Sequence, residues 1–473
     1  MLLEMDSAVL QMPLFKTVLS MTQILKQVYK TLGEKIMIVK NSSILILCCF
    51  FLASCDIFDS GKTFDGGTGT IESPYQIATA EQLQRIAEDE NLDKSFIQVK
   101  DINASETAEY NDGKGFLPIG SIGSPFRGSY NGNGYTISNI KLNFSVPNVG
   151  LFGYIKAGRI ENIQIVQSEI PNCSNQITLV NPLKQFSTVE KAGDIIIIID
   201  DIESAGLLAG FNDGGVIRNS SAFGRLSIER NHVGGLVGYN SGLIVQSYSD
   251  VSISSSRYAG GLTGGNTGEI INSGTSGCVS TSGAAGGLTA YNTFNISNSY
   301  ATSNILGSIA GGLVAYNLFG SIIASYTSGK ISGSGNASGG VAAINLAEII
   351  NSYSLSEFSE SSDAENFGGI AGINRGDGTI ITSYAAGKLA GKTEFNIGAI
   401  AGLNEGSIKS SYYDITETDL NIGTGEGNSD GATGLTTAEM TGPAAEQNMP
   451  EFDWVNIWRT TEDGYPVLRW EEE

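Results

Sequence analysis

The chain has 473 residues, with 49 acidic against 27 basic side chains and a formal net charge of −22. That balance argues against a nucleic-acid surface, which needs clustered Lys and Arg, while a hydrophobic fraction of 41% is enough for a packed core and excludes a disordered chain. The single histidine, His232, excludes the two-histidine H-E-x-x-H zinc site, and no nucleophile elbow surrounds it to build a Ser-His-Asp triad. Within RNHVGG it reads as a surface turn residue.

From the N-terminus, the first element is the apolar run Ile44 to Leu52, too short for a typical membrane-spanning helix. It leads into Leu52-Ala53-Ser54-Cys55, with Lys40 as the positive flank. This resembles the lipobox of a bacterial lipoprotein signal peptide. The resemblance implies cleavage before Cys55 and acylation of its thiol, an anchor of more than one lipid chain. Residues 1–54 then form an upstream extension and signal peptide, with Met37 as the expected true start, and residues 55–70 a lipidated cysteine and flexible tether.

Residues 71–170 read as an N-terminal cap and first coils of a repeat. Thr79 to Glu90 is the best helix, with Thr79 and Gln82 as a capping box; it predicts a cover for an open coil. Phe126 to Asn143 reads as early coils, and Val149 to Ser168 as a divergent repeat copy. Residues 171–205 break the period as an insertion. It contains DIIIIIDD, Asp194 to Asp201, read as a buried strand flanked by charges, in a packed flap or a partner-binding arm. Cys173 lies here. Stacked coils rise roughly 4.8 Å each, which predicts that Cys173 and Cys278 are beyond disulfide reach and are small buried hydrophobes.

Residues 206–413 hold the repeat. Its second glycine falls at Gly206, Gly235, Gly261, Gly287, Gly312, Gly340 and Gly369, with Ala399 in the last copy, at spacings of 25–30 residues. An Asn follows, from Asn212 through Asn240, Asn266, Asn292, Asn317, Asn345 and Asn374 to Asn404, then a Ser, then in most copies a Tyr. Such a period signals a solenoid. Gly and β-branched residues with no sustained helical face exclude helical repeats. The expected fold class is therefore all-β, a parallel β-solenoid of about 25–30 residues per coil, with a short N-terminal capping helix and an aromatic C-terminal cap. In the copy at Gly235 the spacing predicts three strands: GLVGYN, LIVQSYS and DVSISS. Leu236, Leu262, Leu288, Leu313, Val341, Ile370 and Ile400 should stack as one internal column, and the Asn residues as an amide ladder.

Gly234-Gly235-Leu236-Val237-Gly238-Tyr239-Asn240, followed by an I-x-N-S-Y-like stretch, resembles the GLUG motif family; Ala315 and Ala343 depart from it where Gly is usual. The resemblance spans about residues 70–470. It implies a bacterial surface protein, adhesin-like. Such repeats also occur in regions of some IgA-specific metallo-endopeptidases, whose zinc motif this chain lacks.

Two segments follow the repeat. Residues 414–434 read as an acidic Gly-rich loop in which Asp414, Asp419 and Asp430 offer carboxylates to Ca²⁺ without EF-hand spacing, so no cofactor is assigned. Residues 435–473 hold Trp454, Trp458 and Trp470 and read as a cap over the last coil, or alternatively an aromatic ligand platform. The column Tyr248, Tyr300, Tyr326, Tyr353, Tyr384 and Tyr412 is the sharpest binding candidate: facing out it would stack on sugars, facing in it is core. The reading is a non-catalytic, envelope-anchored adhesin, with a membrane partner through lipid and an extracellular glycan or protein ligand. The alternatives are a purely structural spacer and a polysaccharide-active β-helix enzyme using a base such as Arg225, Lys330 or Lys388.

Overall fold

A computed structural model describes residues 64–167, 203–255, 257–359, 364–389 and 396–472. The leader, Cys55 and the DIIIIIDD excursion lie outside the described residues. Those described from Phe64 onward form a parallel β-solenoid. Each complete coil contributes to four parallel sheets, with one strand in each, except that in three coils the sheet IV strand is split in two. In the coil that starts at His232, sheet I receives His232–Gly234, sheet II Val237–Asn240, sheet III Leu243–Val245 and sheet IV Tyr248–Ser255. The sheets contain 9, 10, 12 and 15 strands respectively. Coils stack in register: His232 pairs with Tyr258, Asn240 with Asn266, and Ile244 with Ile270. Four strands per coil replace the three expected. The short HVG stretch is a strand that two glycines disguise as a turn, and SYS with DVSISS forms one continuous strand.

Alternation fills the interior. The Leu236 to Ile400 column is fully buried throughout, and so is the sheet III column Ile217, Ile244, Ile270, Ile296, Ile322, Ile349 and Ile380. Each such side chain contributes roughly 1.5–3 kcal/mol of burial.

Sheets I and II then fold against one another almost without side chains. A Cβ on Gly234 would lie 2.0 Å from the Val237 carbonyl oxygen, and one on Gly238 would lie 2.5 Å from the Ala205 nitrogen of the preceding coil. The motif's glycines are therefore required by close backbone approach. Ala290, Ala315 and Ala343 occupy the Gly238 position in three coils and are fully buried there, so that site admits a methyl. The first glycine does not vary from Gly234 to Gly398.

Two ladders fix the corners. From Asn212 to Asn404 each Nδ2 donates to the Oδ1 of the Asn one coil on, at 2.8–3.0 Å. The other amide hydrogen goes to a turn carbonyl, as Asn266 to Gly268. The ladder begins at Asn212, where the coil below offers Ile155, and Asn212 Oδ1 is left without a donor. At the corner between sheets III and IV, each Ser Oγ donates to the carbonyl two residues earlier and accepts the backbone N–H of the Ser one coil below, as Ser273 N to Ser299 Oγ at 3.2 Å. The residue before each Ser is left-handed, from Asn219 through Gln246, Asn272 and Asn298 to Ser410.

The helix α1 spans Ala80–Arg85, shorter than the expected Thr79 to Glu90. Thr79 accepts from the Gln82 N–H, but the Gln82 side chain reaches Ala78 N rather than Thr79, so the box is open by one residue. Leu83 and Ile86 join the core where sheet III begins. At the other end, the segment read as an acidic loop carries the last strands of the stack, Thr424–Gly427 in sheet II and Ala432–Leu435 in sheet IV.

Asn292→Ala removes a partner from both Asn266 and Asn317 inside the buried ladder. It is expected to cost about 3 kcal/mol in denaturant unfolding, whereas Ser297→Ala, on the outward row nearby, is expected to leave stability within about 0.5 kcal/mol.

Candidate functional site

The tyrosine column lies on the outer face of sheet IV, because the residue after each Tyr points inward. Tyr300, Tyr326, Tyr353 and Tyr384 stack at 5.3, 5.0 and 4.9 Å between ring centroids, within 8° of parallel. Tyr248 stands apart, since the intervening coil carries Gly274 in this position. The column is not open along its length. Tyr353, Tyr384 and Tyr412 are buried, while Tyr248, Tyr300 and Tyr326 are half-buried.

The cover is the C-terminal segment. It contains α2 (Thr437–Met440), α3 (Ala444–Asn448) and an antiparallel ribbon pairing Trp458–Arg459 with Val467–Leu468. Contrary to the expectation of a cap over the last coil, it runs back along the flank as a strap. Trp458 is fully buried between Tyr384 and Phe452, at 5.7 and 4.6 Å. Trp470 stacks over Tyr300 and Tyr326 and donates to the Ala324 carbonyl at 2.8 Å. The tyrosine hydroxyls tie the strap down: Tyr353 donates to Glu471, Tyr384 to the Pro466 carbonyl and Tyr412 to Glu451. Burial pushes the Tyr353 and Tyr384 phenols well above their usual range, so they act as neutral donors.

His232 is not a surface turn residue. It begins a sheet I strand and sits in a seam between sheets I and II, where Phe211, Tyr239 and Tyr291 form a small aromatic cluster apart from the main core. Its ring stacks on Tyr258 at 5.4 Å and meets Tyr239 and Tyr291 edge-on. Nε2 lies 3.2 Å from the Tyr291 hydroxyl, and the buried Nδ1 has no partner. Gly265 opens the space that the Tyr291 ring fills, since a Cβ there would lie 2.5 Å from its Cζ. Burial first, then the Arg257 charge, lowers the imidazole pKa to about 4.

The remaining candidates are dispersed. Asp414 is fully buried and committed: it accepts from the Thr416 and Glu417 N–H groups and from the Tyr465 hydroxyl. Asp419 and Asp430 are exposed elsewhere, and among the described residues no three His, Cys, Asp or Glu side chains converge on a metal position. Arg225 and Lys330 lie on sheet IV strands and Lys388 is exposed on the segment after one, all in separate coils, with Lys330 in register beside Glu357. Cys278 corrects the expectation of a buried hydrophobe. It faces outward from the sheet IV strand Gly274–Thr281, is half-buried, and is disulfide-bonded. The other four cysteines, Cys173 among them, lie outside the described residues.

No protein-family model matches the chain. Over 198 residues, 40% of its length, it is 32% identical to "Halomucin" of Haloquadratum walsbyi. Over 106 residues, 22% of its length, it is 36% identical to a "Putative Gly-rich membrane protein" of Evansella cellulosilytica. The matched regions span only 2% and 12% of those relatives. Among solved structures, a "putative immunoglobulin A1 protease" from Bacteroides ovatus aligns over 87% of this chain and 96% of its own, at 16% identity and a TM-score of 0.33. That score is too low to support a comparison of function.

Two outcomes follow from the packing. Trp458→Ala is expected to free the strap at a cost of about 3–5 kcal/mol, raising hydrogen exchange over residues 300–412 while the coils at 232–286 keep their protection. For His232, the folded pKa of about 4 lies below the unfolded value of about 6.5, so the native state binds fewer protons between them. The stability that His232 contributes is present above pH 6.5 and is lost as pH falls to 4, by about 3 kcal/mol. His232→Phe should flatten that part of the profile in pH-dependent unfolding; an unchanged profile would place the acid sensitivity elsewhere.

Proposed function

We propose that this chain is a cell-envelope-anchored, non-catalytic β-solenoid lipoprotein, similar to GLUG-motif surface proteins, that presents a repetitive flank to extracellular glycan or protein ligands. One observation carries the reading. Of the side chains that repeat from coil to coil, the Asn and Ser ladders and the Leu column are engaged inside the structure, and the outward Tyr column is engaged by the strap, so the other outward rows are free to vary. Recognition spread over a long flank suits a repeat. The dispersal of Arg225, Lys330 and Lys388 supports a binding role over a catalytic one, because acid–base chemistry needs its groups within reach of one another. The lipobox-like Leu52-Ala53-Ser54-Cys55 supports a lipid anchor, and the names of the two relatives are in keeping with a surface or membrane setting.

Expression of the full chain with its leader in a lipoprotein-processing bacterium tests the anchor. Mass spectrometry should find the mature N-terminus at Cys55 carrying acyl chains, and Cys55→Ala should leave the protein unacylated. An unmodified cysteine in wild-type protein confined to the cytoplasm would sink the proposal.

A further inference from the structure

The turn between sheets II and III varies in length from coil to coil, and in two successive coils it carries an exposed aromatic ring. Between sheets II and III the coil starting at Tyr258 turns through Asn266-Thr267-Gly268, with Gly242 and Ala347 at the corresponding place in the coils of Asn240 and Asn345. In the coil of Asn292 that place is held by Phe294, whose carbonyl still accepts from the Asn292 amide. The next coil adds a residue, Phe319, before Gly320, and a Cβ on Gly320 would lie 1.7 Å from the Phe294 carbonyl oxygen, so the two turns are stacked. Phe294 is 48% exposed and Phe319 81% exposed. Neither ring joins a hydrophobic cluster. The solenoid does not use them: the ladder bonds at these coils are backbone and Asn bonds that glycine supports elsewhere.

The turns of Phe294 and Phe319 lead within two residues into an outward row of sheet III, Glu269, Asn295, Ser321 and Glu348, on four consecutive coils. Ser321 donates to Glu348 at 3.0 Å. The sheet III strands of these coils, with Asn295 and Ser321 beside them, contain no Lys or Arg. Carboxylate and amide oxygens at a coil spacing of about 4.8 Å accept hydrogen bonds from hydroxyls, and their charge repels anions. Exposed aromatic faces attract the C–H edges of an apolar or ring-shaped ligand through the ring quadrupole. An unused apolar patch of this kind marks a contact site.

We propose that the Phe294–Phe319 turn and the adjoining Glu269 to Glu348 row form a binding site for a neutral polysaccharide lying along the solenoid axis, its sugar rings on the phenylalanines and its hydroxyls on the polar row. This rests on the adhesive reading above and names its ligand class and location. The site is separate from the tyrosine column, which lies on sheet IV under the strap.

The test uses the full chain, purified in detergent, against immobilised neutral polysaccharides (β-glucan, mannan and galactan), with polygalacturonate as the anionic probe. Wild-type protein should bind at least one neutral polymer saturably and leave polygalacturonate unbound. Phe294→Ala with Phe319→Ala should weaken that binding at least about tenfold. The thermal midpoint should not move, because other coils carry Gly or Ala in this turn. Val455→Ala, which removes a side chain 79% exposed on the strap, should change neither. Equal binding by the double variant would overturn this site while leaving adhesion through another face intact. Preference for polygalacturonate, or no wild-type binding to any polymer, would overturn the neutral-glycan assignment, and the state of Cys55 would show separately whether the envelope reading survives. Loss of a protein contact on the double substitution, without glycan binding, would also overturn it.

Discussion

The structure depends on coil-to-coil register. A parallel strand exposes N–H and C=O groups on both edges, and these are satisfied when a strand of the same shape lies directly above and below. Everything at a corner must then sit over its own kind. An Asn side chain can pass a hydrogen bond to the next Asn only if both sit at the same place in successive coils, as they do from Asn212 to Asn404. The Ser corner obeys the same rule through a backbone donor, and its preceding residue must take a left-handed conformation in every coil. Glycine at the Gly234 position follows as well: sheet I lies so close on sheet II that no coil has room for a side chain there.

Register also explains which parts of the fold were legible in the sequence. The ladders and the inner columns recur at fixed offsets, so their periodicity gives the fold class, the coil length, the Asn ladder and the Leu236 to Ile400 column. Sheet I was missed because its strands are three residues long and end in glycine, which in isolation signals a turn. The acidic segment at 414–434 has the sequence of a loop because its strands Thr424–Gly427 and Ala432–Leu435 lack the repeat's hydrophobic pattern, although they continue the stack.

The misread sites share a different cause. His232, Cys278 and the strap are decided by contacts between residues far apart in sequence that do not repeat. His232 is buried because Tyr258 and Tyr291, one and two coils onward, close over it. A periodicity argument sees RNHVGG and cannot see Tyr291 leaning into the space of Gly265. The strap's direction is likewise set by the Trp470 bond to Ala324 and the tyrosine hydroxyl bonds, none of which has a sequence signature. The sequence left open whether the tyrosines face in or out. They face out of the solenoid, and Tyr353, Tyr384 and Tyr412 are buried all the same, by a segment of the same chain.

That arrangement separates two uses of one surface geometry. Where the tyrosine rings stack closely, the strap lies on them and the aromatic flank becomes a second hydrophobic core, with Trp458, Phe452 and Leu468 closing it. The indole of Trp470 lies on Tyr300 and Tyr326 at 28° to each ring, which shows how a flat ring settles on a column spaced by the coil rise. On sheet III the rows beside Phe294 and Phe319 offer the same rise with no segment of the described chain on the exposed rings. Internal ladders hold the coil shape independently of these outer residues, so a turn can exchange glycine for phenylalanine, or take in one extra residue, without breaking the stack. Structure and recognition are thereby carried by different side chains of the same repeat, and a local break in the outward pattern can mark function while the inward pattern runs on unchanged.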